Sequence, residues 1–255
     1  MKDAEAFAQR LSAGQFDWLV FDFDGTCYPS TAGIESQLRP LMREEIARAT
    51  GIDTSAVPAL RKKVYELTGL KETVLGLQRY YGVDPHHLYY RVYTRLDLTN
   101  LAPYDNFAET LQILAQSTKL CLLTNSYQPF IAKALSVLGL EHAFHKVITT
   151  SDNGFLRKPN PEVYKALFNK HLNVVPNRVA IFDDIVSSQK IAGEMGAVTI
   201  LVGNGLRPAP CFVDLHTNEE WHGKPEFIDY AAHDITAFLR AARGSGRSNS
   251  VSSEE

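Results

Sequence analysis

Residues 18–26 read WLVFDFDGT, a short apolar run that leads directly into two aspartates and a glycine. The run, Trp18 to Phe23, is almost continuously apolar, as is typical of a strand buried on both faces of a parallel sheet. Because side chains alternate along a strand, Asp22 and Asp24 are expected to point to the same side of its end. The stretch therefore predicts a buried parallel strand that places two carboxylates next to each other.

Four further apolar runs follow later in the chain, and helical patterns separate them. The runs are Leu120–Leu123, Lys146–Thr149, Val179–Phe182 and Val198–Val202. The helical patterns are Phe107–Gln116, Pro129–Leu138, Pro161–Lys170 and Ser188–Met195. Alternation of strand and helix predicts the α/β class, with a doubly wound parallel sheet.

The segment Ile34–Asp97 differs from the rest, because it contains helical repeats and no convincing strand. Leu88, Val92 and Leu96, for example, share one helical face. We expect an all-helical subdomain, called the cap below, inserted after the first strand. The predicted division is 1–28 and 98–243 for the α/β core, 29–97 for the cap and 244–255 for a disordered, Gly/Ser-rich tail.

The composition is that of an ordinary globular protein, with 45% apolar and 22% charged residues among 255. A formal net charge of -3 disfavours binding to a nucleic-acid polymer or to an anionic membrane surface. The three cysteines, Cys27, Cys121 and Cys211, have no zinc-ligand spacing and are expected to be reduced. No apolar stretch is long enough for a membrane span, so a cytoplasmic location is expected.

The pair Asp22 and Asp24 is the first candidate for chemistry. Two close carboxylates repel each other unless a proton or a cation such as Mg²⁺ relieves the repulsion. One carboxylate could then attack phosphorus while the other transfers a proton. The alternative is an Asx turn before Gly25, which would need no catalytic role.

The stretch Thr124-Asn125-Ser126 follows the second strand and is the next candidate. Its hydroxyl and backbone N–H groups could hold phosphate oxygens at the start of a helix. A plain helix cap is the alternative explanation.

Lys158-Pro159-Asn160-Pro161 combines a cation with residues that cap and begin a helix. The prolines stiffen the segment, so the ammonium group of Lys158 could be held beside the acidic pair and stabilise a phosphoryl oxygen. The alternative is a solvated surface lysine.

Asp183 and Asp184 end the fourth apolar run. Adjacent carboxylates at one strand end repel unless they share a cation, and alternation along the strand makes one of them the more direct ligand. The carboxyl ends of parallel strands open on one edge of the sheet, so all four segments are expected to form one site.

Taken in order, DFDGT at 22–26, TNS at 124–126, KPNP at 158–161 and DD at 183–184 resemble the four motifs of haloacid dehalogenase (HAD) superfamily phosphatases. The resemblance covers Trp18 to about Gly205. It implies a Rossmann-like core with a helical cap inserted after the first motif, which matches the placement of the helical segment.

The resemblance also implies roles for individual residues. Asp22 would form an aspartyl phosphate, and Asp24 would protonate the leaving alcohol and then activate water. Phosphoryl oxygens would be held by Thr124 and Lys158, with Asn125 and Thr26 assigned to phosphate binding.

For the metal, the resemblance implies Mg²⁺ bound by Asp22, the backbone carbonyl of Asp24 and Asp184, with Asp183 assisting. The chain departs from the related pattern after the acid pair, where Ile185 and Ser188 replace the usual serine and asparagine. The side chain of Ile185 cannot form hydrogen bonds, so the support of the metal ligands is expected to differ.

Within the superfamily, parts of the cap resemble the pyrimidine 5'-nucleotidase-type group: Tyr28-Pro29 with Gly33-Ile34, Leu67–Leu70 and Val83–Pro85. A nucleotide monophosphate is therefore the first substrate hypothesis, with sugar phosphates and other small phosphomonoesters as alternatives. The tyrosines of the cap could supply a stacking platform for a base, although core packing is the expected role of most of them: Tyr80, Tyr81, Tyr89, Tyr90 and Tyr93.

Two other functions compete with a phosphatase. A haloacid dehalogenase would use the same nucleophile without a metal, but it has no leaving alkoxide for Asp24 to protonate. A non-catalytic module that binds a protein through the cap would leave the clustered carboxylates without a use.

Overall fold

The computed structural model describes residues 2–69, 72–214 and 219–244, and a six-stranded parallel sheet lies at its centre. The strands of this sheet are Trp18–Phe21 (β1), Lys119–Leu123 (β2), Lys146–Ile148 (β3), Val179–Asp183 (β4), Val198–Val202 (β5) and Tyr230–Ala232 (β8). Their order in the sheet is β3-β2-β1-β4-β5-β8. The predicted α/β fold with a doubly wound parallel sheet is confirmed, and β8 is the strand that was not predicted.

Strand β1 occupies the middle of the sheet and is buried on both faces. Leu19 and Phe21 belong to one hydrophobic cluster, whereas Val20 belongs to another on the opposite face. Phe21 pairs with Leu122 of β2 and with Phe182 of β4. This register brings the carboxyl ends of the three strands to the same edge of the sheet.

Helices cover both faces of the sheet. They are Lys2–Ser12 (α1), Phe107–Leu114 (α6), Gln128–Val137 (α7), Pro161–Ala166 (α8), Val186–Glu194 (α9) and Ile235–Gly244 (α10). The four helices predicted here are present, and the pattern that continues past α8 forms a π-helical segment, Leu167–Leu172. Helices α1 and α10 were not predicted, and they pack against each other. Gly244, placed in the tail by the sequence, ends α10, and residues 245–255 lie outside the described residues.

The segment between β1 and β2 is helical, as predicted. Its helices are Ile34–Thr50 (α2), Val57–Thr68 (α3), Thr73–Tyr81 (α4) and Pro85–Tyr93 (α5). Helix α2 packs on α5, and α3 packs on α4. Leu88 and Val92 of α5 are buried, as the predicted apolar face requires. Leu96 is also buried, but it lies beyond the end of α5 and is not part of that helical face. The division into a cap and a core domain stays a prediction.

A small antiparallel hairpin follows β5, in the region that the sequence left uninterpreted. It consists of Cys211–Asp214 (β6) and Glu219–His222 (β7), with residues 215–218 outside the described part. Phe212 packs with Val186 and Leu201, so the hairpin lies beside β5 and the start of α9. Within the described residues, none of the helices combines the length and hydrophobicity that a membrane span requires.

Candidate active site

The ammonium group of Lys158 bridges two carboxylates at the carboxyl edge of the sheet. Lys158 Nζ lies 2.7 Å from Asp22 Oδ1 and 2.6 Å from Asp183 Oδ2. Asp22 directly follows β1, Asp183 ends β4, and Lys158 precedes α8. Asp22 and Lys158, which are 136 positions apart in the sequence, therefore meet. This contact was predicted because both residues were expected at the edge where the carboxyl ends of the parallel strands lie.

For both Asp22 and Lys158, burial shifts the pKa in one direction and the opposite charge nearby shifts it in the other. Burial raises the pKa of Asp22 above its ordinary value, although Lys158 opposes that shift. Burial alone would lower the pKa of Lys158, but the nearby Asp183 and Asp22 outweigh it and raise that pKa. The lysine thus stays charged and holds the carboxyl group of Asp22 in a fixed position beside it.

Asp184 completes a cluster of three buried carboxylates. Oxygen atoms of Asp22, Asp183 and Asp184 lie within 4.8 Å of one another. Asp184 Oδ2 accepts a hydrogen bond from Asn204 Nδ2 at 3.0 Å, but Oδ1 is buried and has no partner among the described residues. Burial, together with Asp183 and Asp22, raises the pKa of Asp184 well above its ordinary range.

The cluster could hold a metal ion. Its donors are carboxylate oxygens, which suit a hard cation such as Mg²⁺, and a single lysine leaves part of their charge uncompensated. Both oxygens of Asp183 are already engaged, because Oδ1 accepts from the Ile185 N–H at 2.8 Å. The unpartnered Oδ1 of Asp184 is thus available for direct coordination of a cation.

Asp24 lies outside the three-carboxylate cluster and has different partners. Its Oδ2 accepts a hydrogen bond from Ser126 Oγ at 2.8 Å, and its Oδ1 accepts one from the Tyr28 hydroxyl. Burial raises the pKa of Asp24 above its ordinary value. The two hydrogen bonds act in the opposite direction, but burial outweighs them. Asp24 is therefore a fixed carboxyl group that holds a proton more readily than an exposed aspartate. Its predicted contribution to the metal through the backbone carbonyl stays a prediction.

The remaining predicted residues have distinct surroundings. Thr124 Oγ1 accepts a hydrogen bond from the Ser126 N–H at 3.0 Å, so its own hydroxyl hydrogen is free to point elsewhere. The side chain of Asn125 hydrogen-bonds to the backbone of Lys158. Thr26 is fully buried, and its hydroxyl has no hydrogen-bond partner among the described residues. The phosphate-binding roles of these residues stay predictions.

Three residues of the site were not predicted. Tyr28 and Ser126 lie inside the quoted motifs, where the sequence alone does not reveal their contact with Asp24. Asn204 follows β5, so its position after a buried strand at the same sheet edge was the signal that could have identified it.

An aromatic cluster connects the cap helix α5 to the core near the site. Tyr89 stacks on Tyr127 with ring centroids 5.8 Å apart and on Phe155 at 5.7 Å. Tyr93 also contacts Tyr127. Of the tyrosines considered as a stacking platform, Tyr89 and Tyr93 are buried, whereas the others are exposed: Tyr80, Tyr81 and Tyr90.

The fold and the site together define an α/β protein with a lysine-bridged carboxylate cluster at the carboxyl edge of its sheet. Residues 16–187, more than half of the chain, match the family model described as haloacid dehalogenase-like hydrolase. The chain belongs to this hydrolase family. The predicted membership of the superfamily is confirmed.

Solved structures with the same fold include both dehalogenases and a phosphatase. L-2-haloacid dehalogenase from Xanthobacter autotrophicus, with chloropropionic acid covalently bound, is 18% identical, with a TM-score of 0.56 over 90% of this chain and 99% of that chain. A HAD phosphatase from Thermococcus onnurineus is 20% identical, with a TM-score of 0.51 over 85% and 93%. The HAD-hydrolase YfnB from Bacillus subtilis, bound to magnesium, is 18% identical, with a TM-score of 0.52 over 85% and 93%. At these identities the similarity shows the fold alone, and no curated protein sequence matches significantly.

Proposed function

We propose that the protein is a magnesium-dependent phosphomonoester hydrolase that acts through an aspartyl phosphate. The observation that carries the proposal is the fixed carboxyl group of Asp24, two positions after Asp22, with hydrogen bonds from Tyr28 and Ser126. An alkoxide leaving group needs a proton, and a buried carboxyl with a raised pKa can donate it. A halide leaving group needs none, so this arrangement favours phosphate ester hydrolysis over dehalogenation.

In the first step, a carboxylate oxygen of Asp22 attacks phosphorus, and the bond from phosphorus to the ester oxygen breaks. Asp24 donates its proton to the departing alkoxide. In the second step, Asp24 takes a proton from water as the water oxygen attacks phosphorus. Inorganic phosphate leaves, and the Asp22 carboxylate is restored.

Lys158 and Thr124 would bind phosphoryl oxygens during both steps. The ammonium group of Lys158 is already held 2.7 Å from Asp22, so it lies next to any group that Asp22 attacks. Its fixed position means that little reorganisation is needed when charge develops on the phosphoryl group.

Mg²⁺ would be held by Asp22 and Asp184, with the backbone carbonyl of Asp24 as a further ligand and Asp183 assisting. When bound, the cation offsets the repulsion between an anionic nucleophile and an anionic phosphate. The unpartnered Asp184 Oδ1 supports this assignment, because a buried carboxylate oxygen without a partner is costly in the absence of a cation.

A nucleotide monophosphate is the proposed substrate. A cavity of about 120 Å³ lies where the cap helix α5 meets the start of α7, and aromatic rings of Tyr90, Tyr93 and Tyr127 line it. Aromatic faces suit the stacking of a flat base. Tyr127 directly follows Ser126 in the chain, and the ring of Tyr93 lies 6.1 Å from that of Tyr127, which supports placing the base on this side of the phosphate.

The test is phosphate release from a panel of nucleotide monophosphates and sugar phosphates, with Mg²⁺ or with EDTA, alongside halide release from 2-haloacids. We expect Mg²⁺-dependent phosphate release that Asp22→Asn abolishes. Asp17→Asn is the matched control, because Asp17 lies at the opposite end of β1 in an exposed ion pair with Arg178. Halide release without phosphate release would instead identify a dehalogenase. A folded protein that releases neither would favour the binding module.

A further inference from the structure

Among the described residues, those of the loop after β4 provide a hydrogen bond to Asp183 but none to the side chain of Asp184. Ile185 offers only a backbone N–H, which binds Asp183. Ser188 is buried, but its hydroxyl has no hydrogen-bond partner among the described residues. The support of Asp184 must therefore come from another part of the chain.

That support comes from Asn204, which follows β5. Its side-chain amide nitrogen donates to Asp184 Oδ2 at 3.0 Å and to the Val213 carbonyl at 3.0 Å. Its Oδ1 accepts from the Leu206 N–H at 3.2 Å. Both amide hydrogens and the carbonyl oxygen are thus engaged, which fixes the orientation of the amide. If the amide were flipped, its oxygen would face the Asp184 carboxylate and the Val213 carbonyl, which are both hydrogen-bond acceptors.

We propose that Asn204 is a positioning residue for the metal site. By holding Oδ2 of Asp184, it leaves Oδ1 as the oxygen that faces the cation. The inference rests on the proposed magnesium-dependent function, since it concerns the ligand that would bind Mg²⁺. Groups that orient metal ligands through hydrogen bonds typically change metal affinity by about 10- to 100-fold when they are removed.

The hairpin β6–β7 is part of this support. Val213, which fixes the Asn204 amide, lies in β6. The next residue, Asp214, accepts a hydrogen bond from the Ser187 N–H at 3.1 Å, at the start of the helix that follows the acid pair. Asp214 thus connects the hairpin to the loop that carries Asp184. This assigns a role to a region that the sequence motifs left without one.

The experiment measures Mg²⁺ binding by isothermal titration calorimetry without substrate, for wild type, Asn204→Ala and Asn177→Ala. Asn177 is an exposed asparagine just before β4 and serves as the matched control. We expect Asn204→Ala to weaken Mg²⁺ binding by about 10-fold or more, with Asn177→Ala unchanged. Asn204→Ser, which keeps a shorter donor, is expected to lie between them and is the variant to use if Asn204→Ala does not fold.

A second readout separates positioning from a general structural role. Melting temperatures are compared with EDTA and with saturating Mg²⁺. Loss of positioning reduces the rise in Tm that Mg²⁺ produces, whereas loss of packing alone lowers both values equally. Equal Mg²⁺ affinity in wild type and Asn204→Ala would overturn the inference, and so would a wild type that binds no Mg²⁺. A wild type that binds Mg²⁺ but hydrolyses no phosphomonoester would refute the proposed function. The comparison of Mg²⁺ affinity between wild type and Asn204→Ala would still test the role of Asn204.

Discussion

Asn125 and Lys158 hold each other through two hydrogen bonds. Asn125 Nδ2 donates to the Lys158 carbonyl at 3.0 Å, and the Lys158 N–H donates to Asn125 Oδ1 at 2.7 Å. The backbone that carries the Lys158 side chain is therefore fixed by a side chain from the loop after β2. Two of the predicted segments are joined through this pair.

Asn125→Ala is expected to lower kcat/KM by about 100-fold, because the ammonium group of Lys158 loses its fixed position next to Asp22. The measurement is steady-state phosphate release at saturating Mg²⁺. Asn160→Ala is the control from the neighbouring motif, since Asn160 only caps α8 by accepting from the Glu162 N–H. Equal losses in the two variants would contradict the assigned role of Asn125.

Asp24→Asn should slow hydrolysis by about 100-fold or more for alkyl phosphates, whose leaving groups need a proton. For p-nitrophenyl phosphate the loss should be much smaller, because its leaving group departs as a stable anion. Asp22→Asn should abolish both reactions. The measurement is kcat/KM, which reports formation of the aspartyl phosphate and not its later hydrolysis by water. The same loss of kcat/KM for both leaving groups in Asp24→Asn would rule out proton donation by Asp24.

Gly25→Ala is expected to disrupt the metal site. The backbone of Gly25 has a φ of +82°, and a Cβ there would lie 2.5 Å from Asp184 Oδ2. Gly14 has a similar φ of +67°, but a Cβ there would meet nothing within 4 Å. Both substitutions should cost about 1 kcal/mol of stability through backbone strain. Only Gly25→Ala should also lower kcat/KM, by about 100-fold. Intact activity in that variant would contradict the close approach of the Gly25 backbone to the Asp184 carboxylate.

Glu45→Gln should destabilise the cap in a pH-dependent way. Glu45 in α2 is buried and accepts hydrogen bonds from Arg48 and from Arg91 of α5, each at 2.9 Å. Burial tends to raise the pKa of Glu45, but the two arginines outweigh it and hold the pKa below its ordinary value of 4.5. Because both arginines are half-exposed, we expect a loss of about 1 kcal/mol at neutral pH.

The sign of the pH dependence follows from that lowered pKa. The unfolded state binds the proton first as pH falls, so the contribution of Glu45 is complete above about pH 4.5 and is lost below it. Urea unfolding of wild type and Glu45→Gln should therefore differ at about pH 7, and the difference should shrink as the pH falls below the ordinary pKa of 4.5. Glu66→Gln, in an exposed pair with Lys62, should change little at either pH. A difference that persists in acid would contradict the role of the Glu45 carboxylate.

Much of the fold could be predicted because its central strands are buried on both faces and leave continuous apolar runs in the sequence. The convergence of Asp22, Lys158 and Asp183 was predicted by the same argument, since polar residues that follow parallel strands share an edge. The hairpin was missed because its strands are short and β7, with Glu219 and Glu220, has Trp221 as its one apolar residue, which is too little for an alternating pattern. Helices α1 and α10 were missed although each has an apolar face. Phe7 of α1 and Phe238 of α10 contact each other and Phe182 of β4.

The hydrogen bonds that orient the site could not be predicted. Asn204 reaches Asp184 only because β5 lies next to β4, with Leu201 opposite Asp183, and the sequence does not specify which strands are neighbours. The contact of Tyr28 and Ser126 with Asp24 depends on loop conformation in the same way. Local patterns thus identify the reacting groups, while the partners that fix them depend on tertiary structure.

The hairpin beside Asp184 also contains Trp221, one of the two tryptophans of the chain. The other, Trp18, lies at the amino end of β1, at the opposite edge of the sheet. With Trp18 replaced by phenylalanine, the tryptophan fluorescence would come from the hairpin alone. The chain therefore contains its own optical reporter, and iodide quenching of Trp221 can follow the packing of the hairpin without any attached label.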